Sequence, residues 1–400
     1  MNRPRKVSVM GATGSTGRST LSVVEHANRD AATPAFEIEA LAAGRNVDLL
    51  IEQARAFKPK IAVIADESRL DDLREGLDGT GIDVAAGEAA VTEAAARPCD
   101  RVLAGIVGIA GLPSTLAAVE AGNDVALANK ESLVCAGALL KDVAMSTGAR
   151  LVPTDSEHNA MFQVMERKED VEKLVLTASG GPFLRASLDE MRTTDAATAA
   201  KHPRWSMGLK ISIDSASMMN KALEFIEASY LFDMPSERID VLVHPQSVIH
   251  SMVSYNDGSV LAQLGSPDMR TPIAHALTWP DGRIETPVER LDLARIGQLD
   301  FEDVDDERFP AIRLAREALA VGGAAPAVLN CANEEAVSAF IAGACGFLDI
   351  AYVVEKTLNE LSKETFGAEN GVYDMSTIRA VDEAGRRTAR GLLGALSSTV

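Results

Sequence analysis

Aromatic rings, positive charge and cysteine are all scarce in this chain of 400 residues, and each scarcity removes a class of function. Aromatic side chains make up only 4% of it, too few for platforms that stack single-stranded bases. Against 58 Asp and Glu stand 39 Lys and Arg, a net charge of −19, which argues against the concentrated basic face that nucleic acid or an anionic membrane requires. The four cysteines, Cys99, Cys135, Cys331 and Cys345, show neither CxxC spacing nor paired His motifs and read as reduced, mostly buried thiols. There is no run of about 18 apolar residues to span a bilayer. Behind Arg3, Arg5 and Lys6 comes a strand pattern rather than the apolar region of a signal peptide. What remains, 46% hydrophobic and 24% charged, reads as a cytoplasmic globular protein long enough for two or three domains.

Lys6 to Met10 reads as a short strand, followed at once by Gly11-Ala12-Thr13-Gly14-Ser15-Thr16-Gly17 and a helix with apolar Leu21, Val24 and Ala27. That order lets a glycine turn bring backbone against a pyrophosphate held at a helix N-terminus. The spacing is GxxGxxG rather than GxGxxG, so the context carries more of the reading than the pattern does. Phe36 to Ala43 reads as the second strand, closing on Gly44-Arg45-Asn46. A guanidinium at a strand's carboxyl end suits the 2′-phosphate of NADP. Glu37 has the spacing of a ribose-binding acid but lies near the start of its strand, so Arg45 is favoured. Ile61 to Ala65, Arg101 to Val107 and, last, Val125 to Ala128 continue the series, the last running into Asn129-Lys130-Glu131-Ser132. Strands alternating with helices predict a parallel, doubly wound sheet whose carboxyl edge faces the ligand.

The stretch Pro153-Thr154-Asp155-Ser156-Glu157-His158-Asn159 admits two readings. In an extended or looping segment Asp155 and Glu157, at i and i+2, point to one side and grip a hard cation. Thr154-x-x-Glu157 is equally a capping box ahead of a helical stretch from Ala160 to Arg167. Beyond Lys173 the pattern changes to a mixed domain, with strands at Leu174 to Thr177, Val241 to Val243, Val248 to Tyr255 and Ser259 to Leu264, and a hairpin turn at Asn256-Asp257-Gly258. The connection His202-Pro203-Arg204-Trp205-Ser206-Met207-Gly208 has the length and composition of an active-site lid. If a helix starts near Ser217, Asn220, Lys221 and Glu224 share one face; an ordinary exposed face fits that spacing as well. Acidic residues from Leu299 to Arg308 read as a linker, and the pattern from Ala311 is helical.

The expected fold is α/β: a Rossmann-like parallel sheet binding NADPH over 1–155, a central mixed catalytic or connective domain over 156–285 with a flap near 202–210, a linker over 286–310 and a helical domain over 311–400. Asp155, Glu157 and Glu224 would offer an all-oxygen ligand set, suited to Mg²⁺ or Mn²⁺ rather than Zn²⁺. Ser179, Ser215, Asn220 and Lys221 offer the donors and the cation that a phosphate or polyol needs.

With these parts in this order, the chain resembles the 1-deoxy-D-xylulose 5-phosphate reductoisomerase family over essentially its whole length. The resemblance rests on GATGSTG from Gly11, ANKESLV from Ala128, DSEHNAMFQ from Asp155, SGGPF from Ser179, HPRWSMG from His202, DSASMMNK from Asp214 and LGSPDMRTPIAHAL from Leu264. It implies that NADPH is held by Thr13, Gly14, Ser15, Thr16, Gly44, Arg45, Asn46, Asn129, Glu131 and Gly208. It implies a divalent metal (Mg²⁺, Mn²⁺ or Co²⁺) on Asp155, Glu157 and Glu224. Substrate contacts would fall to Lys130, Ser156, Glu157, Ser179, His202, Ser215, Asn220, Lys221 and Glu224, with Trp205 and Met207 on a closing flap. The implied reaction takes a small phosphorylated sugar, 1-deoxy-D-xylulose 5-phosphate, to 2-C-methyl-D-erythritol 4-phosphate for isoprenoid synthesis, in a homodimer. Two other classes are weighed against it. A semialdehyde dehydrogenase would need a cysteine nucleophile, for which Cys135 is the only candidate near a crevice. A non-catalytic NADP-binding sensor would not need three metal carboxylates beside a phosphate site.

Overall fold

A computed structural model describes residues 3–29, 31–201, 208–361 and 374–397. The chain divides into two units, one built from Met1–Ser132, Leu140–Phe162 and Asp268–Arg290, the other from Leu133–Leu139, Gln163–Pro267 and Leu291–Val400. These boundaries differ from the sequence expectation, which kept 156–285 together and set 286–310 apart as a linker.

The first unit is organised on seven parallel strands: β1 (Arg5–Met10), β2 (Phe36–Ala43), β3 (Ile61–Ile64), β4 (Asp83–Ala86), β5 (Arg101–Ala104), β6 (Val125–Leu127) and β7 (Leu151–Pro153). Their order across the sheet is β4-β3-β2-β1-β5-β6-β7, so the winding reverses between β1 and β5. Ligands of open α/β sheets bind at the carboxyl ends beside such a reversal. The central strands are mostly apolar on both faces, as a parallel sheet covered by helices demands; every residue of β2 except Glu37 is buried, with Glu39 paired to Arg97. The Arg101 strand stops at Ala104, short of the expected Val107. Two strands, β4 and β7, were not expected. Both are edge strands of three or four residues, too short to show a period. Pro153 fits β7 because an edge strand can spare the amide hydrogen that proline lacks.

Residues 268–290 join this unit because their helix, Arg270–Thr278, buries Ile273, Ala274, Ala276 and Leu277 in the core that also holds Val7, Leu21, Val24 and Leu41. Arginines of the sheet secure the end of that helix. Arg5 Nη1 donates to Leu277 O and, at 3.2 Å, to Trp279 O, while Arg101 Nη2 donates to Trp279 O at 2.6 Å. They satisfy carbonyls that a helix C-terminus leaves without partners.

The second unit carries a mixed sheet of β8 (Val171–Ala178), β9 (Ile239–Val243), β10 (Ile249–Tyr255), β11 (Val260–Leu264) and β12 (Glu302–Asp303), ordered β11-β10-β8-β9-β12. Only β8 and β9 pair in parallel. The expected hairpin turn joins β10 to β11, with Gly258 at φ +86° and Asp257 Oδ1 accepting from Ser259 N at 2.9 Å. The acidic stretch is not a free linker: β12 lies in it, pairing with β9, and Arg185 forms an ion pair with Glu302. Helices Ala311–Val321, Ala325–Ile341, Asp349–Leu361 and Met375–Ser397 make the expected helical region.

Candidate active site

In the first unit, the residues expected to hold cofactor stand at the carboxyl ends of β1, β2 and β6. Gly11 follows β1 at φ +89°, and a Cβ there would lie 2.6 Å from Gly105 O, so only glycine allows the turn to pass the end of β5. Gly14 N donates to Gly11 O at 3.0 Å, and Gly14 then precedes the helix Ser15–Asn28 with no side-chain cap. Gly17 lets that helix pack onto the turn, since a side chain would strike the Gly11 carbonyl. Thr13, Gly14, Ser15 and Thr16 thus line an exposed or half-buried helix N-terminus whose amides and dipole favour an anion.

Beyond β2, Gly44, Arg45 and Asn46 are exposed. Arg45 has 90% of its side chain in solvent, with its guanidinium 3.6 Å from Asp66, and Asn46 caps the helix Val47–Phe57 by accepting from Leu49 N at 3.1 Å. Glu37 is the second residue of β2, about 20 Å from its carboxyl end at the usual rise per residue. At the end of β6, Asn129 is buried and caps the helix Lys130–Thr147. Its Oδ1 accepts from Ser132 N at 3.0 Å, and its Nδ2 donates to Gly108 O at 3.0 Å and Glu131 Oε2 at 2.9 Å. Asn129 is therefore first a structural cap that holds Glu131 in place.

The Asp155 turn follows β7 and settles the two readings of its sequence in part. A helix does begin here, at Ser156, so the cap position belongs to Asp155, which accepts from Glu157 N at 3.4 Å. Thr154 does not cap: its Oγ1 is buried and makes no hydrogen bond among the described residues. Nor is the segment extended. Asp155 stands before the first turn and Glu157 within it, yet carboxylate oxygens of the two lie within 4.8 Å of each other. Ser156 Oγ donates to Glu157 Oε2, so the serine is tied to one of the two acids. Lys130 Nζ reaches Asp155 Oδ2 at 2.6 Å, and His158 Nδ1 lies 3.5 Å from Asp155 Oδ1. Burial alone would raise the Asp155 carboxyl, but the Lys130 ammonium and the His158 contact outweigh it and hold it well below the ordinary carboxylate range. Lys130 meets Asp155 because β6 and β7 are neighbours with Leu127 opposite Pro153. With β7 absent from the sequence reading, that pairing was invisible.

In the second unit, β8 is followed by Ser179-Gly180-Gly181. Gly181 lies at φ +63°, donates to Ser179 Oγ at 3.2 Å, and approaches the helix Leu209–Ala216 so closely that a Cβ would be 3.0 Å from Ser215 O. Gly208 caps that helix and is exposed. Asp214, beside Ser215, is almost wholly buried; Lys210 pairs with it at 2.7 Å and Asn333 donates to it at 2.8 Å. Neither Asp214 nor Asn333 carried a role in the sequence reading, and partners 119 residues apart leave no local signal. The next helix begins at Met219, after Met218 at φ +63°, and places Asn220, Lys221 and Glu224 on one face as expected. Asn220 Nδ2 donates to Glu224 Oε1 and Lys221 Nζ to Glu224 Oε2, with Glu224 only 1% exposed. A carboxylate so buried is held by charge-assisted hydrogen bonds from both neighbours. His202, Trp205 and Met207 lie outside the described residues. His244 is structural: its Nδ1 lies 2.9 Å from Asp300 O, its Nε2 accepts from Val248 N and its ring stacks on Phe301. Cys135 is buried, which leaves the cysteine-nucleophile alternative without an accessible thiol.

The donor chemistry fits the two implied groups. Asp155 and Glu157 offer oxygen donors that suit a hard cation, one of them kept ionised by its surroundings; the uncapped N-terminus after β1 and the exposed Arg45 fit a phosphorylated dinucleotide.

Comparison with known proteins agrees along the chain. The family model for 1-deoxy-D-xylulose 5-phosphate reductoisomerase matches residues 7–137, that for its C-terminal domain matches 151–232, and the DXP reductoisomerase C-terminal domain model matches 264–388. A 1-deoxy-D-xylulose 5-phosphate reductoisomerase of Caulobacter vibrioides is 55% identical over 393 residues, 97% of this chain and 96% of its own. The solved reductoisomerase from Zymomonas mobilis in complex with NADPH is 50% identical with a TM-score of 0.90, covering 98% of this chain and 99% of that one. A DOX-P reductoisomerase solved with NADPH, fosmidomycin and magnesium is 41% identical at a TM-score of 0.90, over 98% of this chain and 99% of its own. With this identity held over nearly its full length, the chain belongs to the 1-deoxy-D-xylulose 5-phosphate reductoisomerase family.

Proposed function

We propose that the chain rearranges 1-deoxy-D-xylulose 5-phosphate and reduces the product with NADPH to 2-C-methyl-D-erythritol 4-phosphate, using Asp155, Glu157 and Glu224 as ligands of the divalent metal. The observation that supports this best is the carboxyl edge of the parallel sheet. The glycine turn after β1, Arg45 after β2 and the Asp155–Glu157 pair after β7 all end strands of the same sheet. A dinucleotide-binding set and a hard-cation set on one edge suit a metal-assisted hydride transfer. Solved relatives hold NADPH, and one holds NADPH together with magnesium.

When bound, the cation polarises adjacent oxygens of the ketose and NADPH supplies the hydride. The chain's own residues do the rest. Amides of the Ser15–Asn28 helix receive the pyrophosphate, and Arg45 pairs with the 2′-phosphate. Lys130 holds Asp155 as a carboxylate, so ligation need not wait for a proton to leave. Ser179, Ser215, Asn220 and Lys221 give hydroxyl, amide and ammonium donors to the substrate phosphate, with His202 joining them. Energy from binding that phosphate serves to orient the reacting carbons. Mn²⁺ and Co²⁺ fit the same oxygen ligands as Mg²⁺. A cytoplasmic location and a homodimer complete the reading, the dimer supported by the sheet edge β11, where Val260 and Leu261 are exposed.

The test is NADPH oxidation followed by absorbance, with the ketose phosphate present or absent and Mg²⁺ present or chelated. Oxidation is expected only with substrate and metal together. Oxidation indifferent to chelation refutes the metal ligands, and NADPH binding without oxidation under any metal leaves the sensor reading.

A further inference from the structure

The turn that carries Asp155 and Glu157 follows a three-residue edge strand that pairs with β6 alone, so the sheet holds it weakly. A second tether comes from Asn159, which is fully buried. Its backbone N donates to Asp155 O at 2.8 Å. Its Nδ2 donates to Pro153 O at 2.7 Å and faces His275 Nδ1 at 3.0 Å. Pro153 O can only accept, which fixes the amide's orientation, and the group facing His275 is then the same NH₂. His275 Nδ1 must therefore accept, with the ring neutral and its proton on Nε2. Burial, with Arg283 and Arg101 adding to it, pushes His275 down to about 4, so the acceptor persists at neutral pH. The ring packs edge-on against Phe162 at 6.0 Å, and its helix is anchored at its end by Arg5 and Arg101.

We propose that His275 is a positioning residue for the Asp155–Glu157 turn, acting through Asn159. The inference rests on reading those two acids as metal ligands. Without an acceptor at position 275, Asn159 loses the second of the two hydrogen bonds that orient its NH₂ group, and its hold on Pro153 O loosens. The carbonyl that fixes the start of the turn is then released, and the spacing of the two carboxylates with it.

Three substitutions of His275 separate position from packing. Asn places its Oδ1 where Nδ1 was and keeps the acceptor, Gln places its oxygen where Nε2 was and does not, and Phe keeps the ring against Phe162 but has no acceptor. Mn²⁺ binding to the full chain with NADPH present, titrated by electron paramagnetic resonance, is the primary readout, with the KM values for substrate and NADPH beside it. H275F and H275Q should each weaken Mn²⁺ binding about ten-fold or more, the size typical of a lost outer-shell partner, with NADPH affinity unchanged. H275N should stay within about two-fold of the parent chain, since it restores the hydrogen bond. H275Q serves in place of H275F if the latter does not fold. Parent-like Mn²⁺ affinity in H275Q or H275F overturns the proposal, as does an H275N as weak as H275Q. D155N is the control on the underlying reading: if it too binds Mn²⁺ normally, the metal-ligand assignment fails. If it loses Mn²⁺ while H275Q does not, only the role of His275 fails.

Discussion

Gly181→Ala probes the phosphate side of the site without touching any side chain proposed to bind substrate. Gly181 sits at φ +63°, where an L-residue pays roughly 1–2 kcal/mol. The new Cβ would also lie 3.0 Å from Ser215 O and 3.1 Å from Ala216 Cα, both backbone atoms. Their helix cannot easily give way, because its buried Asp214 is held by Asn333 on the helix Ala325–Ile341. The loop must yield, and crowding brings the total to about 2–3 kcal/mol against its present conformation. At about 1.4 kcal/mol per factor of ten, that corresponds to a rise of roughly 30- to 140-fold in the KM for 1-deoxy-D-xylulose 5-phosphate, if Ser179 must hold this geometry to bind. The KM for NADPH should not change, since the cofactor residues at the strand ends belong to the other unit. Steady-state kinetics with each substrate varied in turn gives both numbers, and a thermal melt reports whether the chain is folded. A folded variant with an unchanged KM for the ketose phosphate would refute the reasoning, for the loop would then not serve the substrate. An equal rise in both KM values would assign the effect to general destabilisation instead.

Other consequences concern single residues. Glu224→Gln keeps the shape but removes the charge and one of the two acceptors that face Asn220 and Lys221, so kcat should fall at least about 100-fold while NADPH still binds; an unchanged rate and metal dependence would remove Glu224 from the ligand set. Arg45→Asp replaces a cation by an anion at the end of β2 and should raise the KM for NADPH about ten-fold or more, moving preference toward NADH. Unchanged NADPH preference would assign the 2′-phosphate to another group. Burial lowers His250 from 6.5 to about 4, with its neighbours at Gly265 and Ser266 partly opposing this. The unfolded chain takes up that proton first, so this stability is present above pH 6.5 and is lost as pH falls toward 4, about 3 kcal/mol in all. Thermal melts across that interval should flatten in His250→Gln, and equal slopes in the two proteins would place the pH dependence elsewhere.

Legibility in the sequence follows the range of the interactions involved. The glycine turn, Arg45 at a strand end and the shared face of Asn220, Lys221 and Glu224 each depend on residues a turn apart, and the structure places all three as their spacing predicts. The edge strands β4 and β7 fail for a related reason: Asp83–Ala86 and Leu151–Pro153 are too short to display a period, and only pairing with a neighbour makes them strands. The domain boundary fails because chain continuity says nothing about burial. Ile273, Ala274 and Leu277 fill the core of the first unit although the second unit's hairpin immediately precedes them.

Asp155 shows what each level adds. Its neighbours in sequence present two acids and an ambiguous cap, and the local geometry moves the cap from Thr154 to Asp155 itself. The order of the sheet then supplies Lys130, which keeps the acid ionised. The packing of a helix over 100 residues further on supplies His275, through an asparagine whose orientation a proline carbonyl dictates. A ligand must be ionised as well as correctly placed. For Asp155 the charge is set by a strand neighbour and the position by the returning helix, so neither could be read from the seven residues around it.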